Sequence, residues 1–183
     1  MSRARAMLPA AVPTAVIALG SNQGDREQLL RDAVRAIDAL DGVQVVASSG
    51  IVETPALKLH GVDESAPSYL NAVLIANVAL QPEALLQQLH GIEASFGRVR
   101  DEVWGDRTLD LDLIDCGGLK RHNDTITIPH PRAWQRAFVL APWLQVQPDA
   151  VLAGHGRIDA LLAATVDRVT DYPARPLMEV LDR

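Results

Sequence analysis

Trp104-Gly105-Asp106-Arg107-Thr108-Leu109-Asp110-Leu111-Asp112 places an arginine and two carboxylates just beyond a tight turn, on what reads as an apolar strand. Successive side chains of a strand point to opposite faces. Asp110 and Asp112 therefore share one face, about 7 Å apart along the chain, while Leu109, Leu111 and Leu113 turn toward a core. Two same-face carboxylates on apolar backbone are costly to bring together without a cation. Hard oxygen donors suit magnesium, which takes one or two protein carboxylates and fills its shell with water and nucleotide phosphates. Taken alone, the pair fits slightly better an edge strand with two solvated aspartates.

Working outward, this strand, roughly Thr108 to Ile114, closes an ordered series. Ala15 to Leu19 reads as a buried strand ended by Gly20-Ser21-Asn22. Asp25 caps a helix, with Gln28 three residues on as in a capping box. Leu30, Ala33, Val34, Ile37 and Leu40 then repeat at helical spacing until Asp41-Gly42. Val43 to Val52 reads as a second strand running into Glu53-Thr54-Pro55 and a long loop through Pro67. In a third strand, Tyr69 to Ala79, Leu70, Ala72, Leu74 and Ala76 share one face and Tyr69, Asn71, Val73 and Ile75 the other. Pro82 opens a second helix whose Leu85, Leu86, Leu89, Ile92 and Phe96 form an apolar stripe ending near Gly97. The order βαββαβ predicts an α+β fold with a ferredoxin-like core. Additional C-terminal strands and helices follow: a short hairpin region around Gly117-Gly118 and Asn123-Asp124, a helix from Arg132 to Trp143, and a last helix from Ile158 to Val166. Residues 1–13 read as an extension, 14–166 as a single domain and 167–183, with Pro173 and Pro176 but no periodicity, as a tail.

A chain of 183 residues buries about 70% of its unfolded surface as one domain. Its lone cysteine, Cys116, forms no internal bridge and fits a cytoplasmic protein. The net charge of −6 and pI near 5.3 argue against partners such as nucleic acid or an anionic membrane, which need a basic surface. A small phosphorylated ligand needs only local positive charge, for which Arg98, Arg100, Arg107, Arg132 and Arg136 are candidates, although some would serve as ordinary surface arginines. Arg3 and Arg5 precede an apolar run as in a signal peptide, but Pro9 and Pro13 interrupt it. No run approaches the roughly 18 apolar residues of a membrane helix.

Seven segments, in order, resemble the 6-hydroxymethyl-7,8-dihydropterin pyrophosphokinase family. They are Ala18-Leu19-Gly20-Ser21-Asn22, Glu53-Thr54-Pro55, Tyr69-Leu70-Asn71-Ala72, Ile92-Glu93 with Gly97-Arg98-Val99-Arg100, the Trp104 to Asp112 stretch, Pro129-His130, and Arg136-Ala137-Phe138-Val139-Leu140. The resemblance implies an ATP-dependent diphosphotransferase of folate biosynthesis that transfers pyrophosphate to the pterin hydroxymethyl oxygen, leaving AMP. It also implies a monomer. Asp110 and Asp112 would hold two magnesium ions, with Arg98 and Arg107 supplying positive charge at the phosphates, since phosphoryl transfer depends mainly on positioning and charge stabilisation. Glu93, Trp104, Leu113, Thr127, His130 and Arg136 would lie around the ATP. Tyr69 and Phe138 would sandwich the pterin ring, with Asn22, Thr54, Pro55, Leu57, Asn71 and Trp104 completing its pocket. A flat ring with amide and amino edges calls for such aromatic faces and matched hydrogen-bonding groups.

Plainer readings exist for several of these residues. His130 would serve as a turn residue between prolines, Phe138 as core, Glu93 as a helix-surface carboxylate and Leu113 as simple core. The chain also departs from the family pattern. Val103 stands where an arginine is usual and Asp106 where a proline is, and the Arg100–Trp104 loop is a residue short. Asp115-Cys116 breaks the apolar run after the aspartates, and Thr125 or Ile126 replaces a basic residue. These changes bear on loop closure and admit an alternative, a catalytically weakened pterin- or nucleotide-sensing module on the same fold, against which the intact Arg107, Asp110, Asp112 and His130 stand. RNA binding fits worse, since the chain is acidic and lacks adjacent aromatic strand positions.

Overall fold

Two segments are buried along nearly their whole length, Thr14–Ser21 and Tyr69–Val78. Strands apolar on both faces belong inside a sheet that is covered on both sides. The structure, a computed structural model, describes residues 12–58, 61–63, 67–97 and 108–178, with 56–58 and 61–63 as backbone only. In chain order its elements are β1 (Thr14–Ser21), α1 (Arg26–Asp38), β2 (Val43–Ser48), β3 (Ile51–Thr54), β4 (Ala56–Lys58), β5 (Gly61–Asp63), β6 (Tyr69–Val78), α2 (Pro82–Ser95) and β7 (Asp110–Cys116). There follow β8 (Arg121–His122), β9 (Thr127–Ile128), a 3-10 turn (Ala133–Gln135), α3 (Ala137–Val146), β10 (Val151–Leu152), β11 (Gly156–Arg157), α4 (Ile158–Ala164) and β12 (Thr170–Tyr172).

The main sheet runs β12-β3-β6-β1-β7, with β2 also paired to β6 and every pair antiparallel. With β2 and β3 taken as one strand, the order is fourth, first, third, second, as the ferredoxin-like core requires. The expected single strand from Val43 to Val52 divides at Ser49-Gly50. There the Ser49 hydroxyl accepts from Val73 N at 2.9 Å, a place the ladder would otherwise fill, and Gly50 N donates to Gln145 Oε1 at 2.9 Å. β2 therefore follows one half of β6 and β3 the other.

Helices α1 and α2 cover one face. Leu30, Val34 and Ile37 from α1 and Leu85 and Leu89 from α2 join Ile17, Leu19, Leu74, Leu111 and Leu113 in the first core. Burial of each such side chain contributes about 1.5–3 kcal/mol. On the other face α3 brings Val139, Leu140 and Trp143 against Val16, Val73, Ile75 and Ile114, and α4 adds Ile158. Asp25 caps α1 as expected, accepting from Gln28 N at 3.1 Å, while the Gln28 amide turns away to Asp32 Oδ1 at 2.9 Å. The expected helix from Arg132 begins instead as the 3-10 turn and breaks at Arg136, whose backbone is extended (φ −109°, ψ 103°), before α3.

Short pairings fill the connections. β8 and β9 form the expected hairpin, its turn closed by Asn123 Oδ1 accepting from Thr125 N and Ile126 N at 2.9 Å each. β4 with β5 and β10 with β11 form two more. After α4 the chain returns as β12 along β3, the Arg31 guanidinium donates to the carbonyls of Arg175 and Pro176 at 2.8 Å each, and Leu177 enters the first core. Among the described residues no helix is long and apolar enough to cross a membrane. Residues 1–11 of the extension lie outside the described residues.

Asp115 is the one buried aspartate among the described residues, 7% exposed. Its Oδ2 accepts from Gly118 N at 3.0 Å, while Oδ1 has no hydrogen-bond partner. Burial pushes the carboxyl above its ordinary range, only partly offset by the Gly118 and Cys116 amides. The stability this group contributes is complete below the unfolded carboxyl range near 3.9 and is lost as pH rises through the higher folded value. Asp115→Asn removes that loss while keeping an acceptor for Gly118. At pH 8 the variant is expected to gain about 1 kcal/mol, or 2–4 °C in Tm, with the gain shrinking toward pH 4. Thermal melts at both pH values check this; a variant less stable than wild type at pH 8 contradicts it.

Candidate active site

The site lies where β1 ends and β6 and β7 begin. Strand register puts Gly20 opposite Asn71 on one side and Asp110 on the other, and Ala18 opposite Asp112. Asn71, Gly20 and Asp110 thus form a row across three strands. A Cβ at Gly20 would stand 3.1 Å from Asn71 Oδ1, 3.8 Å from Tyr69 Cδ1 and 4.0 Å from the Asp110 Cβ. The glycine keeps an open floor between an amide and aromatic group on one side and a carboxylate on the other. Asn71 has little room to yield, because its Nδ2 donates to Thr54 Oγ1 at 3.0 Å and both side chains are buried.

Asp112 gathers the positive groups. Arg136 Nη1 lies 3.6 Å and His130 Nε2 3.9 Å from its Oδ2. The extended backbone at Arg136 lets its guanidinium also lie over the Phe138 ring, 5.5 Å from the centroid. His130 is tied to β7 through its backbone N, which donates to Ile114 O at 2.8 Å, and its Nδ1 accepts from Arg132 N at 3.2 Å. With Nδ1 accepting, the proton of the neutral ring sits on Nε2, toward Asp112. Burial lowers the His130 pKa below its usual value, opposed by Asp112 and Asp110 and helped by Arg136 and Arg132. At neutral pH the ring is therefore an uncharged Nε2–H donor.

Of the expected site residues, the fold brings Asn71, Tyr69, Thr54, Asp110, Asp112, His130, Arg136 and Phe138 to this end of the sheet. Asn22, at the end of β1, is buried and donates from Nδ2 to Pro67 O at 3.4 Å. Pro55 is exposed beside β3. Thr127 on β9 places its hydroxyl 2.9 Å from His122 Nδ1. Leu113 packs into the first core, on the face away from the aspartates. Glu93 is no surface carboxylate: it is 1% exposed, and its Oε1 accepts from Leu111 N, between the two aspartates, at 2.7 Å. Arg98, Trp104 and Arg107 lie outside the described residues, as does the Leu57 side chain. Sequence reading missed the part played by Gly20, which only the cross-strand register reveals.

Paired carboxylates, a guanidinium and a neutral imidazole, set beside an aromatic and amide wall on a ferredoxin-like sheet, are the groups that a transferase for a phosphate-bearing donor and a flat acceptor would need. Residues 16–148 match the family model described as 7,8-dihydro-6-hydroxymethylpterin-pyrophosphokinase. A Synechocystis 2-amino-4-hydroxy-6-hydroxymethyldihydropteridine pyrophosphokinase is 36% identical over 166 residues, 91% of this chain and 83% of that one. The Mycobacterium leprae enzyme of the same name is 41% identical over 162 residues, 81% of each. A solved Plasmodium falciparum HPPK-DHPS triple mutant superposes with a TM-score of 0.64 at 12% identity, a likeness of fold alone. The alignment covers 83% of this chain and 43% of that longer one. The chain belongs to the 7,8-dihydro-6-hydroxymethylpterin pyrophosphokinase family and is a pyrophosphokinase of folate biosynthesis.

Gly20→Ala tests the open floor. The added methyl meets the fixed Asn71 carbonyl at a distance real Cβ atoms seldom tolerate, so the cost falls on whatever ligand occupies that floor. Pterin affinity is expected to fall about tenfold, equivalent to about 1.4 kcal/mol, with the far-UV circular dichroism unchanged. Calorimetry with the pterin substrate measures it, and wild-type affinity would show that the floor is not part of the pocket.

Proposed function

We propose that the chain transfers the β,γ-pyrophosphoryl unit of ATP to the hydroxymethyl oxygen of 6-hydroxymethyl-7,8-dihydropterin at the end of the sheet around Gly20. The acceptor oxygen forms a bond to the β-phosphorus as the bond from that phosphorus to the α,β-bridging oxygen breaks. AMP leaves and the hydroxyl proton is released. The observation that carries this reading is the placement of Asn71 and Asp110 on either side of a residue without a side chain. A ring held at Asn71 thereby has its substituent beside the carboxylates.

Each group then has a task. Tyr69 and Phe138 face the ring, Asn71, held by Thr54, offers its amide carbonyl to the ring edge, and Asn22 and Pro55 border the pocket, to which the family resemblance would add Leu57. Members of this family use Mg2+ and ATP, and the donor set here suits that ion. Among the described residues no third His, Cys, Asp or Glu closes a cluster around the two aspartates, and a site with two carboxylates leaves room for phosphate oxygens and water. Asp110 and Asp112 would hold two such ions, whose charge offsets that of the triphosphate. Arg136 is placed for the same purpose, the family resemblance would add Arg98 and Arg107, and His130 donates to a phosphate oxygen through Nε2. Thr127 borders the nucleotide and the family resemblance would add Trp104, whereas Leu113 and Glu93, on the far side of β7 from the aspartates, support that strand from behind. The single cysteine and the acidic composition fit a protein working in the cytoplasm on small molecules, without nucleic acid, and the monomer is carried over from the family resemblance alone.

Purified protein incubated with Mg-ATP and the pterin is expected to yield AMP and the pterin diphosphate, read by anion-exchange chromatography. ADP would instead indicate an ordinary kinase, and absence of turnover a sensing module. Asp110→Ala and Asp112→Ala are each expected to lower kcat by at least about a thousandfold, a loss of about 4 kcal/mol in transition-state stabilisation. Neither side chain fills the core, so both variants should keep the wild-type Tm within a few degrees. Full activity in either removes that aspartate from the mechanism.

A further inference from the structure

We infer that Arg26, Glu53 and Ser68 form a clamp that positions the pterin pocket from behind the sheet, a role that rests on the reaction proposed above. Arg26 opens α1 and its Nη1 donates to Glu53 Oε1 at 3.0 Å, to Ser68 O at 2.8 Å and to Ser68 Oγ at 2.8 Å. The Ser68 hydroxyl donates in turn to Glu53 Oε1. One guanidinium thus ties together three elements that lie 27 and 42 residues apart in sequence.

What those elements carry gives the clamp its purpose. Glu53 precedes Thr54, which holds Asn71, and Ser68 precedes Tyr69. Thr54 and Tyr69 are paired across the strands. Neighbours along a strand face opposite ways, so Glu53 turns toward α1 while Thr54 faces the pocket. The clamp therefore adjusts the backbone that presents Thr54, Asn71 and Tyr69, and has no need to touch the ligand.

Among the described residues, Ser68 is held at this corner by polar ties. An open cleft of about 570 Å³ lined by Asn22, Gln23, Gly24, Arg26, Pro67 and Ser68 lies beside it, so the place of Ser68 depends on these polar ties. The Ser68 hydroxyl, with Arg26 behind it, holds the Glu53 carboxyl below its ordinary range despite the opposing cost of burial, so the carboxylate stays charged into more acid solution than a free one. The Arg26 and Glu53 side chains keep 25% and 33% of their surface. A part-exposed ion pair of this kind contributes little to global stability, so its loss should register in the pocket more than in the fold.

The test compares binding of the two substrates, each measured by calorimetry on the full chain, with a non-hydrolysable ATP analogue in Mg2+ buffer as the nucleotide. Arg26→Ala is expected to weaken pterin binding about tenfold and leave nucleotide binding within about twofold. Arg26→Lys, which keeps a donor of the same charge, should recover most of the loss. Ser68→Ala, which removes only the hydroxyl links, should cost about threefold. Equal pterin affinity in Arg26→Ala and wild type overturns the clamp, as does a parallel loss of both ligands. If Arg26→Ala does not fold, Glu53→Gln and Ser68→Ala decide by the same comparison. Failure of the wild-type protein to bind pterin overturns the proposed reaction itself, and the clamp's role with it.

Discussion

The register of β1 between β6 and β7 is the constraint on which the site depends. A slip of one residue in either pairing would reverse every side chain on the slipped strand. A slip of β7 on β1 would bury Asp110 and Asp112 among the leucines of the first core and turn Leu111 out to the face that carries Tyr69 and Asn71. The register is secured by burial on both faces: Ile17, Leu19, Leu111 and Leu113 against α1 and α2, and Val16, Val73 and Ile114 against α3. Apolar packing far from any phosphate thereby decides where the carboxylates stand. The single irregularity, between Val16 and Ile17, lies beyond the aspartates and leaves their pairing intact. It shifts the alternation so that Cys116, in place of Asp115, enters the first core, as a bulge can re-aim the side chains that follow it.

Electrostatics then act on a backbone already set. Asp112 faces Arg136 and the Nε2 of His130, so part of the repulsion expected from a second carboxylate two residues away is offset by the protein itself. Both partners reach that position because the chain between β9 and α3 is irregular. His130 is anchored to Ile114 O, and Arg136 occupies the extended break before α3. A continuous helix from Arg132 would carry Arg136 around the helix axis and away from Asp112. The break that interrupts the expected helix is thus what joins the carboxylate to the aromatic wall at Phe138.

Much of this was legible in the chain because it follows from period. Alternation placed Asp110 with Asp112 and Tyr69 with Asn71, and helical spacing placed Leu30, Val34 and Ile37 on one buried stripe. Features decided by contacts distant in sequence carried no such signal. Ser49-Gly50 divides a strand because a hydroxyl binds across to Val73. β12 is three residues of edge pairing in a segment without periodicity. Glu93 falls four residues after Leu89 on the buried stripe of α2, but its charge reads as surface, and only the approach of β7 supplies the backbone partner that goes with its burial. Arg26 looks like any charged residue in a first helical turn, since its partners are far along the chain.

Glu93 and Ser49 each tie the sheet near one margin through a side-chain hydrogen bond to a backbone N–H. β7 is an outer strand, and the N–H of Leu111 would otherwise face outward without a partner, which a buried backbone donor cannot afford. A carboxylate from α2 meets it, so the strand bearing the aspartates is held by β1 on one side and by a helix on the other. At the opposite margin Ser49 supplies the acceptor for Val73 N where β2 and β3 part. Each tie runs from a side chain to the backbone, so it fixes the strand while leaving the neighbouring side chains to face the substrates. Pyrophosphoryl transfer depends on placement more than on covalent work by the protein, and a sheet pinned in this way supplies that placement before either substrate arrives.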